Sequence, residues 1–512
     1  MTALLRLLPV ALFFVLLLAM GFYVRRTSSD ARAKNYSKEY FIGGRSLGGF
    51  VLAMTLVATY GSVSSFLSGP GVAWERGFGW VYYASTQVVA AFLVLAVLGK
   101  KMAVIGRRTD SVTVVDLIRQ RYQSNGLAIF CAIGLIVFFT TQMIGQFIGG
   151  AQIFSATTGL SYEAGLVFFA VVVVLYTTVG GFNAVAITDT ACAIAMLIGM
   201  FCLGYAIISK GGGLENIMAT INEASSQAVA TGEGVDLLSP TAKTATGELL
   251  PVQFLASQWL LCGVCTLGLP QSAVRCLSYK DTRSVHRAII YGTVVVGMMM
   301  IGMHLLGTLA RGVLTSVEGS TDTVVPTLIV QYMHPLVAGI TIIGPLAATM
   351  STISSLLIAG SSAIVKDIYI HSKTEKHQSI DQKKVGRISL TVTGVMGIVA
   401  VLLSIDPPDV IVWINLFAFG GLEILFFWAL LLGLFWKKAN RAGALACGIA
   451  GLGSYCLAYI FNWNLGGAHN IVLGIGVGLV AFLVGAKLGK PNDEKVLRLF
   501  FPEQYPQYCS LS

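Results

Sequence analysis

The chain has 512 residues, 55% of them hydrophobic and only 11% charged, with a mean hydropathy of +0.77. A soluble domain carries about a quarter charged residues, so composition excludes a soluble globular protein and indicates a polytopic membrane protein. The apolar runs are continuous rather than alternating, which excludes a β-barrel. The net charge of +10 lies in short loops rather than on a basic domain built to grip nucleic acid.

Thirteen helical spans are expected, near 5–24, 47–71, 79–99, 126–155, 162–180, 185–208, 251–274, 287–314, 334–365, 387–404, 409–435, 441–461 and 469–487. The first, LLPVALFFVLLLAMGFYV, is too long for a signal-peptide core and lacks a small-residue cleavage site before Arg25. The second reads LVATYGSVSSFLSGPGVAW, residues 56–74, where Gly61 and Gly69-Pro70-Gly71 weaken a helix. The sixth carries Asp189. The segment 209–250 that follows is the longest loop and is acidic; it is either disordered or folded as a cover. The seventh, CGVCTLGLPQSAVR, is interrupted by Gly263, Gly268 and Pro270. The ninth carries Thr349, Ser351, Thr352, Ser354, Ser355, Ser361 and Ser362, and the eleventh carries Glu423.

With the N-terminus outside, the inner segments 25–46, 100–125, 275–287, 366–387, 436–441 and the tail hold 29 of the 34 Lys and Arg, as the positive-inside rule requires. An odd number of spans then puts the C-terminus in the cytoplasm. The basic segment 366–387 serves as a topology determinant, with a lipid-headgroup contact as the other reading. Five spans separate the starts of two possible repeats. The expected organisation is an extra first helix and loop (1–46), a first repeat (47–208), an outer loop (209–250), a second repeat inserted upside down (251–436), and two last helices with a tail (437–512). A broken helix at the matching position of each inverted half marks a transporter binding site. Either break alone would be ordinary Gly-rich packing.

Ionisable residues inside spans are expensive and functional by default, and Asp189 and Glu423 stand out. No HExxH, phosphate loop or Ser/His/Asp grouping proposes catalysis. The six histidines, His286, His304, His334, His371, His377 and His469, are scattered. Of the nine cysteines only Cys262 and Cys265 form a CxxC, which reads as helix packing rather than a zinc or redox site. A channel or transporter remains. Ala348, Ser351 and Thr352 are spaced i, i+3, i+4 and share one helix face. Two hydroxyls and a carbonyl there suit a hard monovalent cation such as sodium. The unwound second span would add free carbonyls, with Ala58 and Gly61 the candidates. Ser361 and Ser362 are expected only to back-bond their own helix or to pack.

Several pieces carry a family resemblance: EYFIGGRSLGGFVLAMTLVATYGSVSSFLSGPG, YTTVGGFNAVAITD, LPQSAVRCLSYKD, INLFAFGGLE, AATMSTISSLLIAGSSAIVKDIY and LFWKKANRAGALACG. Over nearly its whole length the chain resembles the sodium:solute symporters, and within them the bacterial branch that carries pantothenate. The resemblance implies an all-α membrane protein of about thirteen helices with a leucine-transporter-like five-plus-five inverted repeat. It implies a sodium site from the Ala58, Gly61 and Ala348 carbonyls with the Ser351 and Thr352 hydroxyls. It places Asp189 on the inward sodium exit; the alternative is a structural Asp paired to Thr188 or a loop Arg. It suggests a substrate pocket from Tyr60, Ser64, Ser65, Gln142, Gln146, Cys262, Thr266 and Asn415. Many relatives have His where this chain has Gln271. Glu423 would repel an anionic substrate and is expected to be structural or part of a gate.

The expected function is sodium-driven import of pantothenate across the bacterial inner membrane by alternating access. No cofactor, no nucleic acid and no obligatory protein partner is expected; sodium, the substrate and membrane lipid are. The rivals are transport of another small organic anion or amino acid, and a channel or sensor on the same scaffold. A sensor would need a signalling domain, and GKPNDEKVLRLFFPEQYPQYCSLS is shorter than one.

Overall fold

The computed structural model describes residues 2–27, 35–317, 319–406, 411–463 and 465–502. Among the described residues nine unbroken helices are long and apolar enough to span: Thr2–Thr27, Phe78–Arg108, Asn125–Thr158, Thr282–Gly312, Pro335–Glu375, Gln382–Leu402, Ile411–Phe435, Arg441–Ile460 and Ile471–Leu488. A further helix, Tyr162–Lys210, has 49 residues. At 1.5 Å per residue that is about 73 Å, more than twice the hydrocarbon thickness of about 30 Å. It is parted at Gly181, where φ 68° and ψ −176° are non-helical, and so supplies two spans. Two bent pairs complete thirteen: Gly49–Tyr60 with Ser64–Arg76, bent by 68°, and Val252–Gly268 with Pro270–Leu277, bent by 48°.

Both breaks have local causes. The first half of the second span stops at Gly61, whose ψ is 110°, and within the second half Pro70 stands in the opening turn of the α-helical stretch Gly69–Arg76 that follows Ser64–Ser68. In the seventh span Leu269 is extended, at φ −78° and ψ 109°, because the ring of Pro270 clashes with an α-conformation before it. Elsewhere the spans start on side-chain caps. Ser124, Ser161, Asp281 and Asn440 each accept a first-turn N–H, opening the fourth, fifth, eighth and twelfth spans.

The ninth span is the axis of the molecule. Its most apolar stretch is 83% buried, against 28% for the thirteenth, and it packs on the first, fourth and the fifth–sixth helices. The last two spans pack chiefly on each other. At one end, Leu47, just before the second span, pairs with Tyr279, just after the seventh, as a parallel bridge. Leu47 N–H donates to Ser278 O at 3.2 Å and Lys280 N–H to Leu47 O at 3.1 Å. The ends of the two broken spans are thus joined through backbone.

Two expectations change and one open alternative is decided. The third and ninth spans run to Arg108 and Glu375, well past 99 and 365, because hydropathy detects only the part of a helix in hydrocarbon. The segment 209–250 is folded: a helix at Leu214–Thr231 and a two-residue hairpin at Lys243–Thr244 and Gly247–Glu248. Leu237 O accepts Phe78 N–H at 2.9 Å where the second span turns into the third, so the segment covers that turn. Arg275, counted with the inner segment 275–287, is only 1% exposed at the end of the seventh span.

The conformation of Gly181 lies where only glycine is at ease. Gly181→Ala is expected to cost about 1–3 kcal/mol, read as a lowered melting temperature in detergent. Gly394→Ala, where an added Cβ meets nothing within 4 Å, is the control.

Candidate functional site

The break in the second span releases carbonyls that have no helical partner, and the ninth span answers them. Ser351 Oγ donates to Ala58 O at 2.9 Å, with Ala347 O at 2.8 Å and Ala348 O at 3.2 Å as alternatives. Thr352 Oγ1 reaches Gly61 O at 3.3 Å and Ala348 O at 2.9 Å. The three residues expected on spacing, Ala348, Ser351 and Thr352, converge with Ala58 and Gly61, expected from the unwound second span, and all five are buried. Each hydroxyl can turn its proton onto its own helix and leave lone pairs facing the gap. Two such hydroxyls and three carbonyls form a neutral oxygen set that fits a hard monovalent cation. Ser361 and Ser362 donate only to Ile358 O and Ala359 O in their own turn.

One helical turn further along the ninth span lies a second polar cluster. Thr59 and Ser355 hydroxyls meet at 2.9 Å. The Arg275 guanidinium donates to both, and also to Thr55 Oγ1, the Gln271 carbonyl and Asp189 Oδ2, the last at 3.3 Å. Thr55 donates to Asp189 Oδ2 at 2.6 Å. Asp189 and Arg275 are at most 1% exposed. Asp189 therefore has an Arg partner, but one inside the bundle. Thr188 is turned away, donating to Ala184 O and Val185 O. Thr55 and Thr59 were missed in the sequence, although their i, i+4 spacing in LAMTLVATY puts both hydroxyls on one face.

Beside the second break lies a small cavity lined by Tyr60, Ser62, Ser64, Ser65, Tyr83, Gln87, Cys262, His304, Val412, Asn415, Leu416 and Phe419. Its volume is about 20 Å³, room for about one water. Five of the eight expected pocket residues line it: Tyr60, Ser64, Ser65, Cys262 and Asn415. Asn415 Nδ2 donates to Ser64 Oγ. Tyr60 Oη donates to Cys262 O at 2.8 Å and so ties one broken span to the other. Gln142, Gln146 and Thr266 do not line it. Gln146 Oε1 accepts Val63 N–H at 3.0 Å, capping the helix after the break, and Thr266 donates to Gly263 O in its own turn. Tyr83, Gln87 and His304 were missed. His304 is an ionisable residue within a span, the criterion that found Asp189. The structure holds its Nδ1 2.6 Å from Met300 O, which leaves Nε2 as the other edge.

Glu423 is fully buried, and neither carboxyl oxygen has a hydrogen-bond partner; it caps no loop and no hydroxyl. It sits where the seventh and eleventh spans touch. A Cβ on Gly268 would stand 2.8 Å from Phe427 N and 3.0 Å from Glu423 O, so only glycine lets the broken seventh span come this close. Cys262 and Cys265 are free thiols, and no cluster of three His, Cys, Asp or Glu able to hold a metal occurs among the described residues.

A profile described as the sodium:solute symporter family matches residues 40–451. The chain is 41% identical to the sodium/pantothenate symporter of Haemophilus influenzae, over 95% of this chain and 97% of the relative. It is 41% identical to that of Escherichia coli, over 94% and 96%. Among solved structures it resembles a Na+-coupled sialic acid symporter in a substrate-bound outward-open state, with a TM-score of 0.78, 20% identity, and coverage of 96% of this chain and 98% of that one. A nucleobase-cation-symport-1 family transporter in a closed conformation matches with a TM-score of 0.53 and 13% identity, over 90% and 97%. The architecture is the leucine-transporter-like inverted repeat.

The buried ion pair gives a test by mutant cycle. Arg275→Gln and Asp189→Asn each strand a buried charge and are expected to cost about 3–5 kcal/mol. The double variant should lose clearly less than the sum, measured by thermal unfolding of the purified protein in detergent.

Proposed function

The chain belongs to the sodium:solute symporter family, and we propose that it imports pantothenate across the bacterial inner membrane by sodium-coupled alternating access. The observation that carries the reading is the convergence of the Ala58, Gly61 and Ala348 carbonyls with the Ser351 and Thr352 hydroxyls across the break in the second span. Sodium at these oxygens would hold the broken second span against the ninth, so ion binding sets the shape of the adjoining pocket.

Pantothenate offers a carboxylate, an amide, hydroxyls and a branched aliphatic centre. The neutral polar lining of Ser62, Ser64, Ser65, Gln87 and Asn415, with Val412, Leu416 and Phe419 alongside, suits that mixture. At about 20 Å³ the cavity must widen to admit it, which fits a carrier passing between open and closed forms. Glu423 takes a gating role between the seventh and eleventh spans rather than a substrate contact, since a carboxylate would repel the substrate's own.

Sodium leaves past Asp189. Arg275 stands on that route, holding Asp189, Thr55, Thr59 and Ser355 together, so it must release Asp189 for the ion to pass. The two halves, 47–208 and 251–436, act as the inverted repeats, with the N-terminus outside and the C-terminus in the cytoplasm. The membrane potential supplies about 2.3 kcal/mol per net charge per 100 mV, to which the sodium gradient adds. The chain's role is transport, with no covalent step.

The test is uptake of labelled pantothenate into proteoliposomes with an inward sodium gradient. Saturable uptake that collapses when potassium replaces sodium is expected; uptake indifferent to sodium would overturn the coupling. Ser351→Ala with Thr352→Ala is expected to abolish the sodium-stimulated component while the protein still inserts and purifies. Unchanged sodium dependence in that variant would remove the ion site from these residues.

A further inference from the structure

One group on the wall of the small cavity has no part in the proposed cycle: the imidazole of His304, on the eighth span. It is 2% exposed, and its orientation is fixed from two sides. Nδ1 lies 2.6 Å from Met300 O in the preceding turn. The Tyr83 ring meets it edge-on, with centroids 6.4 Å apart. A carbonyl oxygen only accepts, so Nδ1 carries the proton, and in the neutral ring Nε2 presents a lone pair. His304 forms no ion pair with any described residue. A bare imidazolium at membrane depth is costly, so the neutral ring is the form this wall holds.

Nε2 makes no hydrogen bond of its own. Asn415 Oδ1 is sealed from the cavity without a partner, whereas Nε2, equally without one, keeps accessible surface. A Cβ on Gly69 would collide with Nε2, so the glycine of the broken second span is what leaves room for this edge. The other polar side chains of the wall differ in kind. Tyr60 and Asn415 direct donors to Cys262 O and Ser64 Oγ. Ser62, Ser65 and Gln87 can each donate as well as accept. His304 Nε2 can only accept.

We propose that His304 Nε2 accepts a hydrogen bond from a hydroxyl or amide N–H of the transported solute, and so is a specificity-determining residue that fixes which end of the solute enters this corner. The inference rests on the reading of pantothenate as that solute. A lone pair repels a carboxylate, so the anionic end is turned away from His304, toward the donors of Ser62, Ser65 and Gln87. A wall built to take a substrate donor rejects an analogue that lacks it more strongly than an apolar wall rejects a missing methylene.

The test measures ligand binding to the purified full chain in detergent with saturating sodium, read from the rise in melting temperature. The ligands are pantothenate, its analogues lacking the secondary hydroxyl, lacking the primary hydroxyl or methylated at the amide nitrogen, and the alcohol formed by reducing its carboxylate. The proteins are the natural chain, His304→Phe, which keeps a ring without an acceptor, and His304→Gln, whose amide oxygen can stand in for Nε2. His304→Leu takes the place of His304→Phe if that variant does not fold. The natural chain is expected to bind at least one donor-lacking analogue about tenfold more weakly than pantothenate. His304→Phe should bind pantothenate about tenfold more weakly and treat that analogue alike, while His304→Gln still discriminates. Equal binding of all three analogues by the natural chain, undiminished discrimination in His304→Phe, or equal loss in both variants overturns the assignment. So does discrimination against the alcohol that vanishes in His304→Phe, since it would put the carboxylate at His304. No sodium-dependent binding of pantothenate by the natural chain overturns the reading of the solute and this assignment with it; the other failures leave that reading standing.

Discussion

In hydrocarbon, a carbonyl released from a helix must find a donor within the protein. The centre of this molecule is organised around that constraint. Breaking the second span at Gly61 frees the carbonyls of Ala58 and Gly61, and the ninth span, 83% buried over its most apolar stretch, supplies Ser351 and Thr352 to meet them. Gln146 does the same for Val63 N–H on the far side of the break. Tyr60 then joins the second break to the seventh span by donating to Cys262 O. The proposed ion site, the small cavity and the contact between the two broken helices are all consequences of one interrupted helix being kept satisfied.

The charges obey the same economy. Asp189 and Arg275 are both inside the bundle, where either alone would be severely destabilising. Their pairing is indirect as much as direct: Thr55 bonds both, Thr59 and Ser355 accept from the same Nη2 that faces Asp189, and Nη1 donates to Gln271 O. Because Ser355 is one turn from Ser351 and Thr59 is adjacent to Ala58, this cluster shares both helices with the proposed cation site. A shift of the second span relative to the ninth would disturb the two together, and that is how an ion at one end could alter a salt bridge at the other.

Much of this was legible in the sequence. The thirteen spans, both breaks and the five converging oxygens follow from hydropathy, Gly and Pro placement, and the i, i+3, i+4 spacing of Ala348, Ser351 and Thr352. Those signals are local. What failed was not. Arg275 looked like loop because a basic residue at the end of an apolar run ordinarily is one; only the fold brings Asp189, 86 positions earlier, to meet it. Gln146 and Thr266 were expected in the pocket because the family resemblance suggested those positions of the fourth and seventh spans, but backbone donors and acceptors beside them had first claim. His304 was passed over as one of six scattered histidines, and its place beside Tyr60, Ser65 and Asn415 depends on how the eighth span packs against both breaks.

The double set of acceptors around Ser351 and Thr352 has a kinetic implication. Each hydroxyl reaches a carbonyl across the gap and another in its own helix at a comparable distance. Swapping a cross-helix bond for an intrahelical one needs only a torsion about a single C–O bond, and it leaves no hydroxyl proton unbonded. At the proposed sodium site, ion capture and release would then exchange one hydrogen-bond pattern for another of comparable length rather than make and break an isolated contact. Such an exchange suits a proposed site that has to be emptied and refilled on every cycle.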